Sequence, residues 1–353
     1  MDLRVLALHQ AGMEYSEYRM LKSIIDEKGF YDEKELIETI GNRKAGKISK
    51  AFADIDRIQK DMKQSEVSFV SCEDDVFPPF LTQMPDASYL LYYRGDVELL
   101  NEFSIAIIGS RKPTAYGRYA ATKFASELAK EGVVIVSGFA LGIDTLSHKG
   151  ATENNGKTIA VLGTAIDNIY PRSNINYAKQ ILDDGNLIVS EFAPQMVTQP
   201  FHFVQRNRLI SGLSDGLLIV EAGEKSGTLT TVDFGLEQGK MIFSIPGNIN
   251  SLSSTGTNRL IKTGAKMVTE LQDIMEEFPY YIPKTKEKLP EIKLSEEEKA
   301  VYDVLSEHGV LTNEEISFFT NQNIKYIIGT LGVLELKGII KDLGNNTYTI
   351  SLR

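Results

Sequence analysis

Short apolar runs and amphipathic stretches alternate regularly between residues 104 and 270. The runs are rich in β-branched residues, and the stretches between them, such as TAYGRYAATKFASELAKEG, have apolar residues at helical spacing. A parallel sheet buried on both faces produces this pattern, because its strands are apolar throughout and its crossovers are helices. The chain is therefore predicted to contain a doubly wound parallel-sheet α/β domain. The predicted strands are SIAIIG, GVVIVSG, KTIAVLG, NLIVSE, DGLLIVEA and KMIFSIPG, with AKMV as a possible seventh.

Helical spacing dominates the N-terminal part, and residues 1–65 are predicted to form a small helical domain of the SAM or helix-hairpin-helix type. Such a domain binds DNA backbone through its turns or serves packing and protein interactions, and the acidic charge here favours the second role. The following segment contains YLLYYRG, a short strand that is expected to extend the α/β domain. The extended Rossmann-like core is therefore predicted to cover residues 66–270.

The C-terminal part shows the pattern helix, helix, helix, hairpin, which predicts a winged helix-turn-helix domain over residues 294–353. Ser295 with Glu298 three residues later forms a capping-box signature, and TNEE repeats it. The polar segment 271–293, with Pro and alternating charge, is predicted to be a linker. Winged helices often bind DNA through the third helix. That helix offers only Lys325 and Lys337 in an acidic domain, so a protein-protein or regulatory role is favoured over DNA binding.

Composition favours a cytoplasmic protein without a membrane partner. The chain has 353 residues, of which 42% are hydrophobic, and no apolar run approaches the length of a membrane span. The N-terminus lacks the basic and apolar regions of a signal peptide. A single cysteine, Cys72, excludes a disulfide framework and a cysteine-based zinc cluster.

Charge is distributed unevenly along the chain, although the formal net charge is −10. The first 103 residues contain 13 basic and 20 acidic residues, and residues 271–353 contain 9 and 14. Residues 104–270 contain 16 basic and 14 acidic residues and are slightly positive. A polyanion is therefore expected to bind to the α/β domain if it binds at all.

Loops after the predicted strands carry anion-binding chemistry, and ligands of such sheets bind at the carboxyl ends of the strands. After the first strand, Gly109, Ser110 and Arg111 combine close backbone approach with a guanidinium suited to phosphate. Gly138 follows the second strand, and Arg172 follows the third in a Pro-containing loop. These loops are expected to converge on one edge of the sheet.

Aromatic and cationic residues are mixed in EFAPQMVTQPFHFVQRNR, which follows the fourth strand. Exposed aromatics beside arginines suit single-stranded nucleic acid, since bases stack on rings and phosphates pair with Arg. Phe203 is expected to face the ligand, and one Phe of the segment is expected in the core. Arg206, Asn207 and Arg208 are expected at the first turn of a helix. At least one arginine should point into the cleft, and the other can pair with a carboxylate.

The loop after the fifth strand, EAGEKSGTLTT, differs from a P-loop, in which the lysine follows the second glycine. Here Lys225 precedes Gly227. Ser226, Gly227 and Thr228 nevertheless start a helix, and their amides can bind one phosphate.

Motifs for turnover are missing from the sequence. There is no Ser-His-Asp order, no HExxH, no GxGxxG fingerprint and no carboxylate pair with a clear acid-base role. His148 is expected to be structural, and Asp144 is expected to cap the first turn of its helix. No catalytic residue, cofactor or metal is therefore predicted.

Taken in order, the motifs resemble those of the DNA-processing protein A family (DprA, also called Smf). They are GSRKPTAYG, SGFALGID, TIAVLG followed by YP, RNRLISGLSDGLLIVEAGEKSGTLTT, PGN and GTNRLIKTGA. The resemblance covers residues 66 to 268, and both flanking domains fit it as well. It implies a dimeric single-stranded-DNA binder that protects incoming strands and loads the RecA recombinase during natural transformation. It implies no turnover and no metal.

Residue by residue, the resemblance places the family's DNA pocket on the loops described above. The carried-over residues are Gly109, Ser110, Arg111, Arg172, Phe203, Arg206, Asn207 and Arg208, with the loop from Lys225 to Thr228 beside them. Relatives often carry a lysine just before the aromatic residue. Thr198, Gln199 and Pro200 stand near that position, so DNA affinity is expected to be lower or to depend more on stacking.

Two other classes of function stay open at this point. One is a nucleotide-processing hydrolase of the lysine-decarboxylase-like Rossmann group, whose Gly-Gly-x-Gly-Thr loop is vaguely similar to EAGEKSGTLTT. Those enzymes carry a Glu shortly after the Thr, whereas the nearest acid here, Asp233, lies farther along. The other is a protein adaptor in which DNA binding is incidental.

Overall fold

The computed structural model of the chain describes residues 2–26, 29–281, 294–337, 339–342, 344 and 346–350. These residues form two compact units, one before and one after the gap at residues 282–293. Most of the predicted linker therefore lies outside the described residues.

A nine-stranded sheet organises the first unit. Its strands are β1 (Ser68–Ser71), β2 (Leu90–Gly95), β3 (Ser104–Ile108), β4 (Val134–Ser137), β5 (Thr158–Val161), β6 (Leu187–Ser190), β7 (Gly216–Ile219), β8 (Met241–Ser244) and β9 (Lys266–Met267). Their order is β1-β2-β6-β5-β4-β3-β7-β8-β9. Strands β3 to β9 pair in parallel, and β2 pairs antiparallel with both β1 and β6. The predicted strands, including the seventh, are present, and the α/β prediction is confirmed.

Among the described residues, five helices precede the sheet and share an apolar core with it. They are α1 (Leu3–Gln10), α2 (Tyr15–Leu21), α3 (Glu33–Ile40), α4 (Asn42–Ala53) and α5 (Ile55–Gln64). Leu6 of α1 and Ile48 of α4 share one apolar cluster with Tyr92 of β2 and Ala160 of β5. The helices expected in the N-terminal part are therefore present, and their core is continuous with that of the sheet. The division at residue 65 stays a prediction.

Helices cover both faces of the sheet. They are α6 (Ala115–Lys130), α7 (Ile143–Thr152), α8 (Ile175–Asp183), α9 (Pro200–Gly212), α10 (Thr228–Glu237), α11 (Thr255–Lys262) and α12 (Gln272–Met275). Side chains of β3 alternate between the faces, as the period of a strand requires. Ile105 and Ile107 pack with residues of α6 and α7, whereas Ala106 and Ile108 pack with residues of α9 and α10.

The first part of the predicted linker belongs to this core. Ile274 of α12 and Phe278 are buried in the same apolar cluster as Phe243 of β8. Phe278 follows the end of α12, and its backbone N donates to the carbonyl oxygen of Met275 at 3.1 Å. The polar composition of the segment hides these two core residues.

The second unit has the element order predicted for a winged helix. It contains α13 (Glu296–His308), β10 (Leu311–Thr312), α14 (Asn313–Thr320), α15 (Ile324–Leu336), β11 (Ile340–Asp342) and β12 (Thr347–Ile350). The strands form an antiparallel sheet in the order β10-β12-β11. Both predicted capping boxes form, at Ser295 with Glu298 and at Thr312 with Glu315.

Candidate nucleic-acid interface

The strand order changes direction at β3, which lies between β4 and β7. The chain leaves β3 toward β4 on one side and returns on the other side at β7, where Ile105 is opposite Gly216. Loops diverge at such a switch point and leave a crevice at the carboxyl ends of the strands. A cleft of about 400 Å³ lies there.

Four segments line the cleft: the loop after β3, the start of α7, one side of α9 and the start of α10. The lining residues are Ile108, Gly109, Ser110, Arg111, Ala140, Asp144, Phe203, Val204, Arg206, Asn207, Ile210, Ser226, Gly227, Thr228, Thr230 and Thr231. Nine of the thirteen predicted site residues are among them. Gly138, Arg172, Arg208 and Lys225 are not.

Glu221, at the end of β7, holds the loop that carries Arg111. Its carbonyl oxygen accepts from Ser110 N at 2.9 Å, and its buried carboxylate accepts from Thr114 N at 2.9 Å and from the Thr114 hydroxyl. Arg111 itself is exposed and lines the cleft. The prediction did not include Glu221, although an acid at the end of an apolar strand is a signal that can be found in the sequence.

Arg206 lines the cleft, but most of its guanidinium is occupied by the protein. Its Nη1 donates to the carbonyl oxygen of Gly138 at 2.6 Å and to that of Val161, and its Nε donates to Oδ1 of Asn207 at 3.2 Å. The side chain is buried, and this burial lowers its pKa to about 10. Arg206 therefore fixes the loop after β4, and only its Nη2 has no hydrogen-bond partner among the described residues.

Arg208, which the sequence analysis includes among the DNA-binding residues, does not line the cleft. Its Nε donates to Oδ2 of Asp86 at 3.0 Å, and its Nη2 donates to both carboxylate oxygens of Glu191 at 2.9 and 2.7 Å. Burial alone would lower the pKa of Arg208, but the two carboxylates raise it. Residues two apart on a helix diverge by about 200°, so Arg206 and Arg208 cannot share a side of α9. Arg208 is thus the arginine that pairs with carboxylates.

Phe203 is half-buried in the wall of the cleft. Its ring lies close to Gly163, where a Cβ atom would be 2.8 Å from Cδ1, and its centroid lies 5.5 Å from that of the exposed Tyr170. Phe201 is 61% exposed at the start of α9. Neither of these two rings is in the core. The core ring of the segment is Phe192, which stacks on His202.

The start of α10 forms the fourth wall. Thr228 N donates to Oγ of Ser226 at 3.2 Å, and Nδ2 of Asn207 donates to Oγ1 of Thr230 at 3.1 Å, which ties α9 to α10. Lys225 is exposed just before this wall. The helix start and its small polar residues are where the sequence predicts them.

Gly138 and Arg172 lie outside the lining for different reasons. Gly138 is buried behind it, and a Cβ atom there would lie 2.7 Å from Oδ2 of Asp144 and 2.8 Å from Nη2 of Arg206. Its role is to leave space for these two side chains. Arg172 is exposed in a short 3-10 turn, Arg172–Asn174.

His148 is fully buried with Nδ1 2.6 Å from Oγ1 of Thr158, which fits the expected structural role.

Within the described ranges, no group of three or more His, Cys, Asp or Glu side chains is arranged to hold a metal ion. No helix in the same ranges is long and apolar enough to cross a membrane.

Comparison with known proteins identifies the family. The model of the family described as DNA recombination-mediator protein A matches residues 68–279, more than half of the chain. The chain belongs to this family. Protein Smf of Escherichia coli K12 is 39% identical over 219 residues, which are 62% of this chain and 59% of that protein. DNA processing protein DprA of Streptococcus pneumoniae is 37% identical over 246 residues, which are 70% of this chain and 86% of that protein.

Two solved structures of DNA processing protein A share the fold. The X-ray structure from Streptococcus pneumoniae has a TM-score of 0.68 and 34% identity, and the match covers 79% of this chain and 98% of that one. The structure from Helicobacter pylori, described for its single-stranded DNA binding mode, has a TM-score of 0.55 and 33% identity, with coverage of 61% and 98%. The family resemblance seen in the motifs is confirmed.

Proposed function

We propose that this protein binds single-stranded DNA in the cleft between β3 and β7 and acts as a mediator of DNA recombination. The observation that carries the proposal is the similarity to the Helicobacter pylori protein, whose structure is described for its single-stranded DNA binding mode. This chain has the chemistry for such binding at its switch point: the exposed Arg111, the half-buried Phe203 and the polar helix start at Ser226.

Each wall of the cleft supplies a different contact in this proposal. Arg111 and the neighbouring Ser110 bind a phosphate at the mouth, since a guanidinium forms a bidentate pair with phosphate oxygens. The start of α10 offers amides and hydroxyls to a second phosphate. Phe203 stacks on a base, which tolerates any sequence because every base has a π-face.

The family resemblance extends the proposal to the cellular role. We infer a cytoplasmic homodimer that protects incoming single strands and loads RecA during natural transformation, without turnover of a substrate. Light scattering after size-exclusion chromatography tests the dimer. RecA-catalysed strand exchange on DNA coated with single-strand-binding protein tests RecA loading. If the protein loads RecA, its addition should increase the rate of strand exchange.

Binding is tested by fluorescence anisotropy with labelled oligo-dT, with unlabelled single strands and duplex as competitors. Single strands should compete at much lower concentration than duplex. Arg111→Ala should weaken binding at least tenfold, because a hydrogen bond to a charged group contributes about 1.5–3 kcal/mol. The slope of log K against log salt should fall by roughly 0.7 for one lost phosphate contact.

Lys130→Ala is the matched control, because Lys130 is an exposed cation at the opposite end of α6 from the cleft. It should bind like the wild-type protein at every salt concentration. An Arg111→Ala protein that also binds like wild type would remove the cleft from the proposal, and a preference for duplex would overturn the proposal as a whole.

The hydrolase of the lysine-decarboxylase-like group is the alternative function. Asp233 is the first acid after the loop between β7 and α10. It is exposed on α10 and does not line the cleft. Among the described lining residues, Asp144 is the only carboxylate. Incubation with nucleoside monophosphates tests this alternative directly, since the hydrolase requires the release of free base.

A further inference from the structure

Asp144 is a buried acid within a cleft that otherwise suits anions. Its side chain lines the cleft beside Arg206, and the residues are 7% and 4% exposed. Gly138 separates them, because a Cβ atom there would lie within 2.8 Å of both Oδ2 of Asp144 and Nη2 of Arg206. The structure nevertheless forms no ion pair between them among the described residues. The charges of Asp144 and Arg206 therefore lie close together in the wall of the cleft, but the two side chains make no direct contact.

Both side chains keep hydrogen-bonding capacity that the protein does not use. Nη2 of Arg206 has no partner among the described residues, since its other nitrogens bind Gly138, Val161 and Asn207. The Asp144 carboxylate accepts from Ala140 N at 3.4 Å, and a carboxylate has about four acceptor positions. These polar atoms line the cleft, so they are available to donors and acceptors of a ligand that enters it.

A phosphate does not fit the part of the cleft beside Asp144 and Arg206, because the Asp144 carboxylate repels it. The edge of a nucleobase fits, since it presents acceptors and donors side by side. Ile108, Ile210 and Phe203 provide apolar surface for the faces of the ring. Guanine is the base that places one acceptor, O6, next to two donors, N1–H and N2–H₂, and a carboxylate can accept from both donors at once.

We propose that Asp144, together with Nη2 of Arg206, reads the Watson-Crick edge of one base of the bound strand and favours guanine at that position. The proposal rests on the proposed function, because it assigns a specificity-determining residue to the same cleft. Sequence-tolerant contacts through Arg111 and Phe203 remain, so guanine is a preference at one position and not a requirement. Burial raises the pKa of Asp144 to about 6, so the carboxylate is an ionised acceptor at pH 8.

The test compares three strands of equal length at pH 8: all thymine, thymine with one central guanine, and thymine with one central inosine. Inosine lacks only the N2 amino group of guanine. The wild-type protein should bind the guanine strand roughly tenfold more tightly than the inosine strand, as expected for a lost hydrogen bond in a base contact. Asp144→Asn should abolish this difference, because its amide no longer accepts two hydrogen bonds.

Glu224→Gln is the control for charge, because Glu224 is exposed in the loop between β7 and α10 and does not line the cleft. It removes one negative charge near the cleft and should keep the guanine preference. If Asp144→Asn instead binds all three strands more tightly by the same factor, Asp144 only repels phosphate and the proposal is overturned.

The comparison of guanine with inosine on the wild-type protein needs no variant, so it decides the question even if Asp144→Asn does not fold. Equal affinity for the two strands overturns base reading while the single-strand proposal stands. Failure of all three strands to bind overturns the proposed function itself, so the two failures can be told apart.

Discussion

Three arginines near the cleft differ in what surrounds them, and this difference decides what each can bind. Arg111 is exposed at the mouth, Arg206 is buried against carbonyl oxygens, and Arg208 is buried between Asp86 and Glu191. A buried guanidinium with two carboxylates has little capacity left for a ligand. Of these three arginines, only Arg111 therefore combines a positive charge with access from solvent.

Arg208→Ala should destabilise the fold and leave the contacts to DNA in place. The change leaves the Glu191 carboxylate, which is 11% exposed, without its partner, and breaking a buried pair costs about 3–5 kcal/mol. Urea unfolding measures the loss. Arg57→Ala, which breaks an exposed pair with Asp54, is the control and should change stability by less than about 1 kcal/mol. An Arg208→Ala protein of normal stability with weak DNA binding would contradict this assignment.

Phe203→Ala should weaken binding to oligo-dT by about 1–3 kcal/mol, the range for loss of one stacked base. Anisotropy titration measures the effect. Phe201→Ala is the matched control, because Phe201 lies two residues earlier on α9 and is exposed away from the lining. Unchanged affinity of the Phe203 variant, with a loss of stability, would mean that the ring serves only to pack against Gly163.

The junction of β3 with α7 depends on close contact between two loops. Gly142, which precedes α7, has a φ of +85°, a left-handed value that favours glycine. A Cβ atom at this position would lie 2.3 Å from the carbonyl oxygen of Ser110. The same contact brings Ile143 N to 3.1 Å from that oxygen, so the start of α7 supports the loop that carries Arg111.

Gly142→Ala should therefore lower stability by about 1–3 kcal/mol and also weaken binding of single strands, since the loop must move. Thermal unfolding and anisotropy measure the two effects on the same sample. Gly46→Ala is the control, because Gly46 is within α4 and no atom lies within 4 Å of an added Cβ. That change should stabilise the protein by roughly 0.5–1 kcal/mol. A Gly142→Ala protein that behaves like the control would rule out the tight junction.

Across the whole molecule, the second unit is acidic and differs in its surface from the α/β unit. Its third helix, α15, exposes Tyr326 and Ile328, and Lys337 at its end donates to Glu298 at 2.6 Å. An apolar helix with few available cations is a poor reader of a DNA groove. The protein-interaction role of this unit stays a prediction.

Deletion of residues 287–353 should leave the affinity for oligo-dT within about twofold of the full chain, because few phosphate contacts are lost. Each phosphate contact contributes to the slope of log K against log salt, so this slope should also stay nearly the same. Anisotropy at two salt concentrations measures both quantities. The full chain with Lys325→Ala is the companion variant and should also bind normally. A large loss of affinity in the deletion, or a lower salt slope, would assign DNA contacts to the second unit.

Local signals in the sequence were sufficient for the sheet and most of the cleft. The strands follow from continuous apolar runs, and the loops after β3 and β7 follow from their place at strand ends. Pairing across long separations was not accessible, because a carboxylate such as Asp86 lies 122 residues from Arg208. The position of Asp144 beside Arg206 was missed for the same reason.

By itself, the sequence determined most of the helices and strands, the parallel part of the sheet and the family, since these depend on periodicity and on motifs of neighbouring residues. Only the tertiary structure decided which of Arg206 and Arg208 lines the cleft and which charges are already paired. It also brought Asp144 beside Arg206, with Gly138 between them. Burial and pairing are properties of segments that meet in space, so residue type and spacing alone do not determine them.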